Sequence, residues 1–198
     1  MKKIILASNN ANKIREARHI LKGTDIEICS LKEAGIVSEP IEDGKTFEEN
    51  AIIKARATHE KSGMPVIADD SGLTIDVLDG KPGILSSRFS GPTGNDDDNN
   101  GKAVEMIRAT GNNSSAASFV CSIAYIDEKG NIATFSGECM GKFILEPRGN
   151  RGFGYDPYFL VMEYGRTMAE LSDEEKNLIS HRGKALSKLA EYIMEVQK

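Results

Sequence analysis

The chain has 198 residues, 39% hydrophobic and 28% charged, with a formal net charge of −5. That length and balance suit one soluble domain, residues 1–198, with a sizeable core, and the negative charge disfavours non-specific binding to nucleic acid. No run of about 18 apolar residues is present to cross a membrane, and the apolar stretch behind Met1-Lys2-Lys3 is too short for a signal peptide.

Residues 3–7 read as a first strand, followed by the polar loop Ser8-Asn9-Asn10-Ala11-Asn12-Lys13. A helix is predicted from about Lys13 to Leu21, because Ile14, Ala17 and Leu21 recur at helical spacing, and Gly23 ends it. Residues 26–30 form a second strand and 31–45 a loop. Thr46-Phe47-Glu48-Glu49 has the pattern of a capping box and opens a helix to about Ser62, closed by Gly63 and Pro65. Val66 to Ala68 is a short buried strand that ends in Asp69-Asp70-Ser71-Gly72, and Leu73 to Leu78 is a separate strand. Residues 90–101 lack core formers and read as a mobile surface loop, and 102–110 as a short helix. Residues 118–126 and 132–140 form a hairpin. A glycine-rich segment, 148–157, precedes a second capping box at Ser172-Asp173-Glu174-Glu175, then a helical region interrupted near 180–183. Alternating strands and helices followed by a hairpin predict an α/β fold with a mixed sheet.

Several motifs fail on inspection. Gly44-Lys45-Thr46 ends like a phosphate loop, but Glu39 stands where that motif needs its first glycine. Gly152-Phe153-Gly154 begins like a dinucleotide fingerprint, but Pro157 holds the last glycine position. No G-x-S-x-G elbow occurs. The three cysteines, Cys29, Cys121 and Cys139, are odd in number and lack C-x-x-C spacing, so a disulfide framework or zinc site is not expected and a cytoplasmic setting is the simple inference.

Five clusters could carry chemistry, and each has a plainer explanation. Asp69 and Asp70 are adjacent carboxylates that repel unless a cation attends them, or else they are turn formers. Ser8, Asn10 and Lys13 at a helix start suit an anion, or a cap with a solvated lysine. Glu42 and Lys54 flank the capped helix, where Lys54 borders the core stripe and can snorkel out or point into a cleft. Phe153 between glycines can stack on a flat ligand with Asp156 accepting a ring N–H, or it plugs a tight turn. Lys176, His181 and Arg182 near a helix break offer directional donors, or they complement the helix dipole. Together they supply carboxylates for a hard metal, bases for phosphates and an aromatic with polar partners for a base, the parts of a nucleoside triphosphate site.

The segments Ser8–Lys13, Thr46–Ala51 with Lys54-Ala55, Ala68–Leu73, Gly152–Pro157 and Ser180–Gly183 occur in an order that resembles the inosine triphosphate pyrophosphatase family, also described as dITP/XTP pyrophosphatases. The resemblance implies an elongated mixed sheet flanked by helices, with two lobes around a central active-site cleft. It implies hydrolysis of ITP, dITP and XTP to the monophosphate and pyrophosphate, a Mg2+ cofactor and a homodimer. By motif position, Ser8, Asn9, Asn10, Ala11, Asn12, Lys13 and Lys54 hold phosphates. Glu42 and Asp70 bind the metal, with Asp69 a further ligand or a supporting group. Asp70 accepts the proton of the attacking water, and Ser71 touches the substrate. Phe153, Gly154, Tyr155, Asp156, Lys176, His181 and Arg182 hold the base and nearby groups. Arg151 and Leu85 depart from the family pattern at a glycine and an aromatic position. A catalytically silent nucleotide binder or a monophosphatase would be the alternatives. Intact Glu42, Asp70 and Lys13 argue against the first, and the number of basic groups against the second.

Overall fold

The computed structural model describes residues 2–196. In chain order the elements are β1 (Lys2–Leu6), α1 (Ala11–Ile20), β2 (Ile26–Ser30), α2 (Phe47–Ser62), β3 (Val66–Ile75), α3 (Asp96–Ala109), β4 (Ser114–Ile126), β5 (Ile132–Ile144), β6 (Phe159–Val161), β7 (Arg166–Thr167), α4 (Asp173–Ile179) and α5 (His181–Val196). The expected mixed sheet is present, with seven strands in the order β2-β1-β3-β4-β5-β6-β7. β1 runs parallel to β2 and β3, while β5, β6 and β7 pair antiparallel.

The chain divides into two compact units. Among the described residues, the first comprises 2–70, Cys121–Gly137 and 181–196. Its core has two parts. One packs Ile4, Leu6, Ile67 and Ile123 with Ala17 of α1 and Leu186 and Leu189 of α5. The other packs Ile5, Val66, Ala68 and Ala124 with Ala51 and Ala55 of α2. Ile4 and Ile5 are adjacent yet both fully buried, one in each part, because successive strand side chains face opposite sides and helices cover both. Each such burial stabilises the fold by about 1.5–3 kcal/mol. The second unit, Ser71–Val120 with Glu138–Ser180, has its own core of Leu73, Ile75, Ile107, Phe143 and Phe159 among others.

Four local expectations are corrected. β3 does not end at Ala68, and Leu73 does not open a separate strand. A single strand runs from Val66 to Ile75, so Asp69, Asp70 and Ser71 sit in its middle, and a 3-10 turn takes Asp76–Leu78. The segment 90–101 is not a loop throughout. α3 begins at Asp96, capped by Asn95, whose side chain accepts from Asp98 N–H while Asp98 reaches back. Three aspartates in that first turn complement the helix dipole, and Asn99 and Asn100 are buried through hydrogen bonds rather than through hydrophobicity. The break in the last helical region is one extended residue, Ser180, between α4 and α5. At α2, Thr46 Oγ1 accepts from Glu49 N–H at 3.1 Å as expected, but Glu49 reaches one residue further back, to Lys45 N–H at 2.6 Å. Gly63 closes α2 at φ 62°, a left-handed conformation that favours glycine.

Candidate active site

In the first unit, β1 delivers the loop 8–10 to the start of α1. Asn10 is the N-cap, its side chain accepting from the N–H groups of Asn12 (2.9 Å) and Lys13 (3.2 Å). Ser8 Oγ accepts from Asn10 N–H at 3.1 Å. The cap explanation therefore holds for Asn10, and Lys13 is not simply solvated. Its Nζ lies 2.5 Å from Asp69 Oδ1.

β3 sends its two carboxylates to opposite sides. Val66 and Ala68 face α2, whereas Ile67 faces α1 and α5. Alternation then places Asp70 toward α2 and Asp69 toward α1 and α5. Asp69 is buried, with Arg182 Nε at 2.7 Å and Cys121 Sγ at 3.3 Å from Oδ2. Arg182 Nη1 also donates to Glu16 at 2.5 Å. Burial opposes ionisation of Asp69, but the Arg182 guanidinium and the Lys13 ammonium outweigh it and hold the carboxyl well below the usual range. Cys121 is the converse. Burial, and then the charge of Asp69, push its thiol far up, so it is a neutral S–H donor.

Asp70 has different company. Lys54 Nζ donates to Asp70 Oδ1 at 2.7 Å and to Glu42 Oε2 at 3.2 Å. Lys54 therefore points inward rather than snorkelling to solvent. Two carboxylates thus converge on one cationic nitrogen. Burial raises the pKa of Asp70, and Lys54 offsets this only in part. The Lys54 ammonium resists its own burial because Asp70 and then Glu42 stabilise the charge, which raises its pKa. Asn50, buried in α2, donates to Asp70 Oδ2 at 3.4 Å. Among the described residues, no group of three or more His, Cys, Asp or Glu side chains is placed to hold a metal by itself. Glu42 and Asp70 are a pair, which suits a hard cation that takes its remaining ligands from phosphate and water.

In the second unit the glycine-rich segment forms a held loop. Asp156 is buried. Its Oδ2 accepts from Phe153 N–H at 2.8 Å and from Lys176 Nζ at 2.6 Å. Gly152, at φ 74°, runs so close that a Cβ there would stand 2.0 Å from that oxygen. The Lys176 ammonium sits 5.0 Å from the centre of the Phe153 ring, a cation–π distance. Gly154 is gripped on both sides by α3. Its N–H donates to Asp96 at 2.7 Å, and its carbonyl accepts from Asn100 Nδ2 at 2.9 Å. Tyr155 is buried and donates to the Ser86 carbonyl at 2.9 Å, so it is a structural support of this loop. Ser71 is half-buried on β3, at the start of this unit.

A model described as the Ham1 family matches residues 4–192. The chain belongs to the Ham1 family. It is 46% identical to a dITP/XTP pyrophosphatase of Clostridium perfringens over 204 residues, covering 100% of both chains. It is 45% identical to a protein of the same name from Geobacter sulfurreducens, covering 98% of this chain and 97% of that one. Among solved structures it resembles a HAM1 protein from Coxiella burnetii, with a TM-score of 0.89, 42% identity and coverage of 98% and 100%. The Ham1 protein of Staphylococcus aureus gives 0.86 and 38% over the whole of both chains.

The sequence-derived site of this Ham1 chain is partly regrouped. Lys13 and Asp69 come together, as do Glu42, Lys54 and Asp70, and so do Phe153, Asp156 and Lys176. His181 and Arg182 were grouped with Lys176 by sequence, but they open α5 in the first unit, where Arg182 is bound to Asp69 and Glu16. Sequence reading missed Glu16, Asn50, Asp96 and Asn100. Glu16 lies beside Ala17, and Asn50 shares its buried helix face with Ala51, Ala55 and Thr58, a polar intrusion that could have marked them. Asp96 and Asn100 carried no signal once their segment was read as a loop.

Proposed function

We propose that this Ham1-family protein hydrolyses non-standard purine nucleoside triphosphates, ITP, dITP and XTP, to the monophosphate and pyrophosphate. It would thereby keep deaminated purines out of DNA and RNA. The observation that carries the reading is the convergence of Glu42 and Asp70 on one cationic nitrogen, at 3.2 and 2.7 Å. The names of the full-length relatives point the same way. The pair fits Mg2+, which when bound would neutralise triphosphate charge and polarise the α-phosphorus. Lys54 and Lys13, with Ser8–Asn12 at the start of α1, bind phosphate oxygens. Asp70 accepts the proton of the attacking water, a role its raised pKa suits.

Ser71 contacts the substrate, and Phe153 stacks on the purine, its backbone anchored by Asp156. Asp156 also accepts the ring N–H, while Gly154 and Tyr155 shape the loop and Lys176 neutralises it. His181 meets the keto oxygen, because Arg182 is engaged by Asp69 and Glu16. Adenine reverses this donor and acceptor pattern and would leave buried groups unpaired, which excludes ATP.

We place the enzyme in the cytoplasm as a homodimer. The buried free thiols of Cys29, Cys121 and Cys139 suit a reducing compartment, and light scattering tests the dimer. No described helix is long and apolar enough to cross a membrane. The deciding experiment incubates the protein with Mg2+ and each of ITP, dITP, XTP, GTP, ATP and TTP and identifies the products. IMP with pyrophosphate is expected from ITP. Release of orthophosphate overturns the reading.

A further inference from the structure

Asn50 is 1% exposed, an amide in a helix face otherwise lined by alanine and threonine. A buried amide at such a place needs partners on both its ends. Its Oδ1 accepts from Gly44 N–H at 2.9 Å, and its Nδ2 donates to Asp70 Oδ2 at 3.4 Å. Lys54 takes the other oxygen of Asp70. Gly44 lies two residues after Glu42, so one side chain ties the segment carrying Glu42 to the carboxylate of Asp70. The fit is close. A Cβ on Gly44 would stand 2.6 Å from Asn50 Oδ1 and 2.9 Å from Asn50 N.

We propose that Asn50 is a positioning residue for hydrolysis, fixing the rotamer of Asp70 and its spacing from Glu42. This rests on the roles proposed above for those two carboxylates. A merely structural Asn50 would satisfy Gly44 N–H and nothing more. The two explanations differ over which end of the amide matters. Asn50→Asp keeps an acceptor for Gly44 and replaces the donor facing Asp70 with a carboxylate oxygen. Asn50→Ala removes both ends.

The test measures kcat and KM for ITP, thermal unfolding, and calorimetric Mg2+ affinity in the presence of a non-hydrolysable ITP analogue. Oriented partners of this kind are worth about 10- to 100-fold. Asn50→Asp is expected to fold with a lowered melting temperature, since its carboxylate faces that of Asp70, and to lose kcat by about that factor, with KM changed less than about threefold. Asn50→Ala is expected to bind Mg2+ about tenfold more weakly as the two carboxylates lose their fixed spacing. If Asn50→Ala does not fold, Asn50→Asp still decides. Parental kcat in Asn50→Asp overturns the inference. Asp70→Asn is run alongside. If it is inactive while Asn50→Asp is fully active, only the inference about Asn50 fails. If Asp70→Asn itself turns over ITP like the parent, the reading of the site fails and the inference with it.

Discussion

The two units build their polar sites on opposite plans. The first uses buried and half-buried charges held by one another. Asp69 lies between Arg182 and Lys13, Arg182 between Asp69 and Glu16, and Lys54 between Glu42 and Asp70. The second uses a loop whose backbone is pinned by side chains, with Asp156 on Phe153 N–H and Asp96 and Asn100 on the two sides of Gly154. A buried ion pair, Asp156 with Lys176, backs that loop. Charges held by charges remain ionised where burial would otherwise neutralise them, which suits phosphate and metal. A pinned backbone presents a ring and peptide groups in fixed directions, which suits a flat heterocycle. Substitutions in the first unit should therefore strike turnover and fold stability, and those in the second should strike substrate affinity.

The largest effect is expected at Asp70. Asp70→Asn should lower kcat for ITP by about 10²- to 10⁴-fold, the usual worth of a positioned acid or base, while ITP binding by calorimetry stays near the parent's. Asp69→Asn should cost about 3–5 kcal/mol in urea unfolding, because the buried Arg182 guanidinium loses the charge of Asp69 opposite it. Its pH dependence has a definite sign. The folded pKa of Asp69 is depressed, so its contribution is complete above the unfolded carboxylate value of about 3.9 and is lost as pH falls through the folded value. The stability gap between parent and Asp69→Asn should therefore narrow below about pH 4 and stay constant above about pH 5.

In the second unit, Asn100→Ala removes a buried donor from the Gly154 carbonyl. It should cost about 1–3 kcal/mol of stability, raise KM for ITP and leave kcat nearly unchanged. A fall in kcat with constant KM would contradict the proposed division of labour. The smallest effect is expected from Asp96→Ala, at an exposed residue, with about 0.5–1.5 kcal/mol and the same direction in KM.

Much of this was legible in the chain. The α/β class, most strands and helices and both cap sites follow from periodicity and capping pattern. Errors occurred where local pattern and tertiary environment disagree. Asp69-Asp70-Ser71 looked like the end of a strand, since carboxylates are poor strand residues. Within the sheet they continue β3, because cations on both faces receive them. Residues 96–101 looked like a loop because they hold no apolar side chain, yet Asn99 and Asn100 are buried by hydrogen bonds to the segments at 87–90 and 154.

The sequence by itself determined which chemical groups are available and the order in which they are strung. The tertiary structure alone decided their partners. Arg182 meets Asp69 across 113 residues and Glu16 across 166, separations that no local periodicity encodes. It also decided that adjacent carboxylates diverge. Strand alternation turns Asp70 toward Lys54 and Asp69 toward Arg182, so one carboxyl has its pKa raised by burial and its neighbour has it lowered by two cations.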